Sequence, residues 1–258
     1  MVLAAAAAVV LGLICTSSSE HVDREITITR PKASPTTEGH TSPTSAPTTE
    51  GLTPPIPTPT AGPTTPPILE ARIHGFRYPI DGACLPQEDD LMPNAPREYR
   101  SGTHEGVDFY EGRCCVAVAR GMPVLAAKTG VVIRIDHDYQ DITAEEMDAL
   151  LTLSQQQGST DAATLDRLRG RQVWIDHGNG IVTRYAHLLA VETGVAKGMV
   201  VRAGQVLGYV GNSGTPEGIS DDNAENHLHF EIWVGGGYLG QGLSVAETRR
   251  LWEKAFSP

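Results

Sequence analysis

Residues 171–188 read RQVWIDHGNGIVTRYAHL, two runs rich in β-branched and aromatic residues on either side of Gly178, Asn179 and Gly180. Val, Ile, Thr and Trp suit a pleated, half-buried surface, and a Gly-Asn-Gly centre allows the left-handed backbone of a tight antiparallel turn. Further strands are marked by PVLAAKTGVVIRI at 123–135 and GQVLGYVG at 204–211, both apolar runs broken by turn glycines. With 27 glycines, 18 prolines and 5% aromatic residues, the chain suits a turn-rich β protein better than a helical bundle. The expectation is a mainly β domain, a compact antiparallel β-sheet.

Two interruptions are helical. Thr143 and Glu146 form a T-x-x-E start signal ahead of Met147, Leu150 and Leu151 at helical spacing, and a second short helix is expected over 162–169, ending at Gly170. Residues 138–170 are thus predicted to be a helical insertion between two strands. Ser244 and Glu247 mark a C-terminal helix carrying Leu251, Trp252 and Phe256.

The N-terminal part has a different character. An uncharged apolar run from Val2 to Ile14 is too short to span a bilayer as a helix, but has the length of a signal-peptide core. Cys15, followed by Thr16 and three serines, resembles the processing site of bacterial lipoproteins, in which the cysteine becomes the lipidated first residue of the mature chain. Ile14 stands where a small residue is expected and no Lys or Arg precedes the run, so an uncleaved anchor is the alternative. Residues 1–20 are read as a signal peptide or lipoprotein-type anchor, implying export to the cell envelope, membrane-anchored or secreted.

Residues 21–67 are read as a linker. From about Ile28 the segment is dominated by Pro, Thr and Ser, repeats PTTEG at 35–39 and 47–51, and holds too little apolar surface to offset the entropy of ordering it. In extended form, at about 3.1 Å per residue, it would reach on the order of 100 Å. The folded domain is expected over 68–258. A formal charge of -11 disfavours a nucleic-acid partner.

Candidate chemistry concentrates in two short stretches. In ENHLHFEIW (225–233), His227 and His229 share one face of a strand, while Leu228 and Phe230 take the other. In THEGVDF (103–109), His104 and Asp108 are four apart, and on an extended segment that separation also places both on one face. Two imidazoles and a carboxylate are what zinc binds well, with a fourth position left for water. His104, Asp108 and either His227 or His229 would supply that set. His187, ending the second strand of the hairpin, is a fifth candidate.

The other histidines divide between the linker (His21, His40), the domain entrance (His74), the edge of the insertion (His137) and the hairpin turn (His177). No HExxH helix is present, so a thermolysin-type site does not apply. Cys84 is expected to pair with Cys114 or Cys115 in an oxidising compartment. A thiolate metal site is disfavoured, because adjacent cysteines lack the two-residue spacing that lets both sulfurs converge.

Taken in order, HEGVD, PVLAAKTGVV, IDHGNGIVTRYAHL, GQVLGYVGNSG and HLHFEI resemble the lysostaphin-type zinc metallopeptidases with a LytM domain, which hydrolyse peptide bonds in bacterial cell-wall peptidoglycan. The likeness spans roughly residues 78–233. It implies a LytM/lysostaphin-type fold, a Zn2+ cofactor held by His104, Asp108 and His229, and catalytic roles for His227 and His187 beside the metal. His227 would act as general base; His187 would bind the developing oxyanion or help to protonate the leaving amine. The insertion and the acidic loop TPEGISDDNAEN depart from the family pattern. A non-catalytic LytM-like module that binds wall or activates another hydrolase is the alternative to an exported endopeptidase. If Cys15 is lipidated, Cys15→Ser should move the protein from the membrane to the soluble fraction without changing the activity of the domain from Ile68. An unaltered membrane fraction points to the uncleaved apolar anchor instead.

Overall fold

The computed structural model describes residues 73–220 and 223–258; the anchor and linker expected at 1–67, Cys15 included, lie outside the described residues. A short ribbon of β1 (Pro96–Arg97) and β2 (Gly102–Thr103) comes first, followed by β3 (Val107–Tyr110), β4 (Pro123–Leu125) and β5 (Gly130–Ile135). Two helices, α1 (Ala144–Gln157) and α2 (Ala162–Leu168), separate β5 from β6 (Val173–Asp176). Next come β7 (Ile181–Ala186), β8 (Leu188–Val191), β9 (Val200–Val201) and β10 (Val206–Val210). The chain closes with a helical turn α3 (Pro216–Ile219), β11 (His227–Val234), β12 (Gly237–Tyr238) and helix α4 (Val245–Ala255).

All strand pairings are antiparallel. One sheet runs β12-β11-β7-β6-β5-β9, with β3 also bonded to β11, and a second runs β4-β10-β8. The apolar run at 123–135 therefore divides between two sheets. The β6–β7 hairpin forms where the sequence places it, and its turn holds three successive left-handed residues: Gly178 at φ 78°, Asn179 at 55° and Gly180 at 74°. Glycine and asparagine adopt that region at least expense, which is why the turn has this composition.

One apolar core joins both sheets and α4. Phe109, Val124, Ile175, Tyr185, Leu207, Phe230 and Trp252 are all fully buried in it. Removing a side chain of this size from water contributes about 1.5–3 kcal/mol. The insertion has a small core of its own, Ile142, Met147 and Leu168, with Leu151 and Ile219 against it. Thr143 caps α1 as expected, accepting from the Glu146 backbone, and the Glu146 carboxylate pairs with Arg167 of α2. The insertion is thus tied together by an ion pair. In α4 the Ser244–Glu247 box forms in both directions.

Cys84 pairs with Cys115, and Cys114 is free and buried, donating to the Tyr110 carbonyl at 3.3 Å. The chain turns sharply here, with Cys115 at φ 70°, and one sulfur enters the core while the other reaches Cys84. Among the described residues no helix is long and apolar enough to cross a membrane.

Gly170 joins the insertion to β6 at φ 67°, and a Cβ there would collide with the Ser213 carbonyl oxygen. Gly158 has nearly the same φ, 66°, with nothing near its missing Cβ. Gly158→Ala should destabilise the domain by about 1 kcal/mol from backbone strain alone, and Gly170→Ala by about 2–4 kcal/mol once the collision is added. Denaturant unfolding of the two variants side by side checks this; equal losses would show that the Ser213 contact is easily relieved.

Candidate metal centre

The site follows from strand register. β11 lies between β3 and β7, and its residue His229 stands directly opposite Asp108 on one side and Ala186, the neighbour of His187, on the other. His227 stands opposite Tyr110, whose ring stacks on it at 4.2 Å between centroids. The alternation sends Leu228, Phe230 and Ile232 into the core and the histidines to the opposite face. His104 precedes β3 and is fixed by backbone bonds of its peptide to Asn94 and Ala95. His187 sits at φ 58° at the corner where the chain leaves the larger sheet for the smaller. That strained geometry is over-determined: its backbone N–H donates to Arg169 and its Nδ1 meets the Ser213 carbonyl at 2.8 Å.

Hydrogen-bond partners determine which ring nitrogen of each imidazole bears the proton. A backbone carbonyl can only accept, so the nitrogen facing it must donate. His104 Nδ1 donates to Met92 O at 3.0 Å, His227 Nδ1 to Glu225 O at 2.8 Å, and His187 Nδ1 to Ser213 O at 2.8 Å. Each neutral ring therefore has its lone pair on Nε2. His229 is reversed: its Nε2 donates to the Glu231 carboxylate at 2.8 Å, leaving Nδ1 as the bare nitrogen.

Three electron-rich atoms consequently converge. His104 Nε2 lies 3.0 Å from Asp108 Oδ2 and 3.1 Å from His229 Nδ1, which lies 2.7 Å from Asp108 Oδ1. All three residues are buried. Lone pairs at such separations repel unless a cation or a proton lies among them, and two imidazole nitrogens with one carboxylate form a donor set suited to zinc. The residues present fit such an ion. Glu105, His229 and Glu231 also cluster, but their two carboxylates already carry Arg100 at 3.0 Å and Arg169 at 2.6 Å, and only one imidazole joins them.

Charge states match this picture. Burial alone would raise the Asp108 carboxyl, but His104 and His229 hold it well below its ordinary range. Burial lowers the pKa values of His104, His227 and His187, with the other histidines adding to the effect at His187. At His229 burial is outweighed by the carboxylates of Asp108 and Glu231, which raise its pKa to about 9, so that without a cation among the three atoms a proton on Nδ1 faces Asp108. All five groups line one cleft of about 450 Å³, with Met147, Leu151, Leu165 and Leu168 of the insertion on its wall.

Residues 102–240, more than half of the chain, match the family profile described as Peptidase family M23. The chain belongs to peptidase family M23. Peptidoglycan DD-endopeptidase ShyA of Vibrio cholerae is 30% identical over 162 residues, 62% of this chain and 27% of that protein. DD-carboxypeptidase/endopeptidase Mpg of Neisseria meningitidis is 42% identical over 67 residues, 26% of this chain and 13% of that protein. The chain thus corresponds to a minor part of the length of either relative. Among solved structures, a zinc-containing peptidase from Vibrio cholerae is similar at 23% identity and a TM-score of 0.40, covering 64% of this chain and 38% of that one. The catalytic domain of lysostaphin from Staphylococcus simulans is similar at 19% identity and a TM-score of 0.31, covering 70% and 90% respectively.

In this M23 domain the surroundings of the cluster hold residues that sequence reasoning passed over. Glu231 continues the period-two face of His227 and His229, and that spacing could have revealed it. It is fully buried, and besides His229 it accepts from Arg169 Nε at 2.6 Å and from the Trp233 indole, with Arg184 at 3.5 Å. Arg184 in turn lies between the Trp174 and Trp233 rings, 3.9 Å from each centroid. Arg97 reaches Asp108 Oδ2 at 3.0 Å from the β1 ribbon, and nothing in the sequence signals that contact. Glu231→Ala would leave the buried Arg169 and the partly buried Arg184 without their shared carboxylate and should lower stability by about 3–5 kcal/mol. The loss is read from the denaturant midpoint, and an unchanged midpoint would mean that the arginines find other partners.

Proposed function

We propose that this chain is an exported zinc endopeptidase that hydrolyses peptide bonds of bacterial peptidoglycan, its domain held away from the membrane by the Pro/Thr-rich segment. The observation that carries the reading is the convergence of His104 Nε2, Asp108 and His229 Nδ1, with His227 and His187 directing two more bare Nε2 atoms to the same cleft. His104, Asp108 and His229 would hold the metal. When bound, zinc supplies Lewis acidity toward an amide carbonyl and a water molecule.

The remaining roles belong to the chain. Glu231 keeps the Nε2 proton of His229 engaged, which fixes that ring's tautomer and orientation. His227, with Nε2 3.9 Å from Asp108 Oδ1, is placed to take a proton from an attacking water. His187, close to His227 at 4.6 Å between ring centroids, is the group to hydrogen-bond the developing oxyanion or pass a proton to the leaving amine. Its backbone anchors and the Tyr110 stack on His227 hold the two rings in register with the cluster. M23 membership and the named activities of the two relatives support peptidoglycan peptides as the substrate.

The purified protein should carry about one equivalent of zinc, and His104→Ala or Asp108→Ala should lose it. His187→Ala should keep the metal and the fold while peptide release from purified peptidoglycan falls by about 10²- to 10⁴-fold. Metal analysis beside a digestion assay reads both. Full metal content in both ligand variants overturns the donor set, and zinc-loaded parent protein that binds peptidoglycan without cleaving it supports the non-catalytic module.

A further inference from the structure

We propose that the helical insertion builds a subsite beside the histidine cluster for an aliphatic group bearing a free carboxylate, and that Arg169 is the specificity-determining residue that binds that carboxylate. This rests on the peptidase reading above and names the chemistry its substrate must present.

The insertion lends the cleft an apolar wall through Met147, Leu151, Leu165 and Leu168, and Arg169 follows at the C-terminal cap of α2. Arg169 lines the same cleft yet is only 5% exposed. Its Nε donates to Glu231, but its Nη2 has no acceptor. Three buried side-chain atoms among the described residues lack a partner. Arg184 Nε belongs to the guanidinium held between two indoles, and Asn226 Oδ1 to a residue of the neighbouring hollow. Arg169 Nη2 alone belongs to a cation of the metal cleft.

The other cleft arginines are committed elsewhere: Arg97 meets Asp108 at 3.0 Å, and Arg100 meets Glu105 at 3.0 Å. Arg169 and Arg184 share the single carboxylate of Glu231, so neither guanidinium has that anion to itself. A buried donor left without an acceptor is unfavourable by about 1–3 kcal/mol, and more when charged, unless a ligand completes it. A carboxylate matches a guanidinium edge in shape and charge, and beside an apolar wall the pair is poorly screened.

The backbone that carries Arg169 is fixed from both ends. Arg134 on β5 pairs with Asp166 of α2, Arg167 pairs with Glu146 of α1 at 2.7 Å, and the Arg169 carbonyl accepts from the His187 backbone. Helix α2 therefore cannot slide without disturbing a residue of the cluster. A carboxylate held at Arg169 would place the attached aliphatic chain along the insertion wall and its backbone toward the histidines. That carboxylate could be the terminus of the substrate peptide or the side chain of an internal dicarboxylic residue.

The test uses the zinc-loaded full chain and two pairs of otherwise identical peptides, one pair with the terminal carboxylate free or amidated, the other with an internal side-chain carboxylate free or amidated. In the parent, kcat/KM should favour the free acid by about tenfold or more in one pair, and that pair identifies the source. Arg169→Gln, which keeps a donor for Glu231, should bring that preference to near unity, kcat/KM for the free acid falling about tenfold or more further than that for the amide. Arg169→Lys, which keeps the charge but cannot serve both carboxylates, should lose most of it. Equal use of acid and amide in both pairs by the parent, or a preference that survives Arg169→Gln, overturns the proposal. Zinc loss with equal falls for acid and amide also overturns it, because Arg169 would then act only through Glu231 on His229. Calorimetric binding of the same peptides separates the two readings: acid-selective binding that Arg169→Gln abolishes, without hydrolysis, upholds the subsite and sinks the peptidase.

Discussion

The Glu231 carboxylate has no exposed surface, and four cationic or donor groups from three parts of the chain close on it: His229 and Trp233 of its own strand, Arg184 of β7 and Arg169 from the insertion. Burial alone would push its pKa up, but Arg169, His229 and Arg184 hold it far below the usual carboxylate range, so it remains an anion. An isolated charge at that depth would be severely unfavourable, and the donors around it would be equally unfavourable without it. The interaction therefore locks together the strand that carries two of the histidines, the hairpin beside it and the element that departs from the family pattern.

The rest of the cluster is arranged by the same logic at smaller scale. Three imidazoles are each held through Nδ1 by a backbone carbonyl, from Met92, Glu225 and Ser213, while His229 is held through Nε2 by a side chain. Backbone carbonyls are rigid and cannot donate, so each ring has one tautomer and one orientation. The result is a cleft in which the protons point outward and the lone pairs point inward. Preorganisation of this kind keeps the rings in place when a cation arrives, and only the proton between His229 Nδ1 and Asp108 has to leave.

The insertion changes the cleft without changing the cluster. It brings its own small core and its own ion pair, and enters between β5 and β6, where a hairpin connection can lengthen without altering the register of either strand. Its contact with the site runs through Arg169, whose side chain reaches Glu231 and whose carbonyl accepts from His187. The wall of the cleft is consequently a property of this chain's own insertion, whereas the converging donors belong to the sheet and to the segment that leads into β3.

Much of this was legible in the sequence. Alternation along HLHFEIW separates the core face from the site face, the Gly-Asn-Gly turn sets the hairpin, and capping residues mark the helices, because each is a local pattern with a fixed geometric period. Those patterns placed His104 and Asp108 on one face and His227 and His229 on another. They could not say which of the last two meets Asp108, since both share a face; the antiparallel register of β3 on β11, which sets His229 opposite Asp108 and His227 opposite Tyr110, decides it. Nor could they choose between Cys114 and Cys115, or find Arg97, Arg169 and Arg184 around the cluster. Those contacts join residues far apart in the chain, and only the packing of sheets and insertion brings their charges within reach of one another.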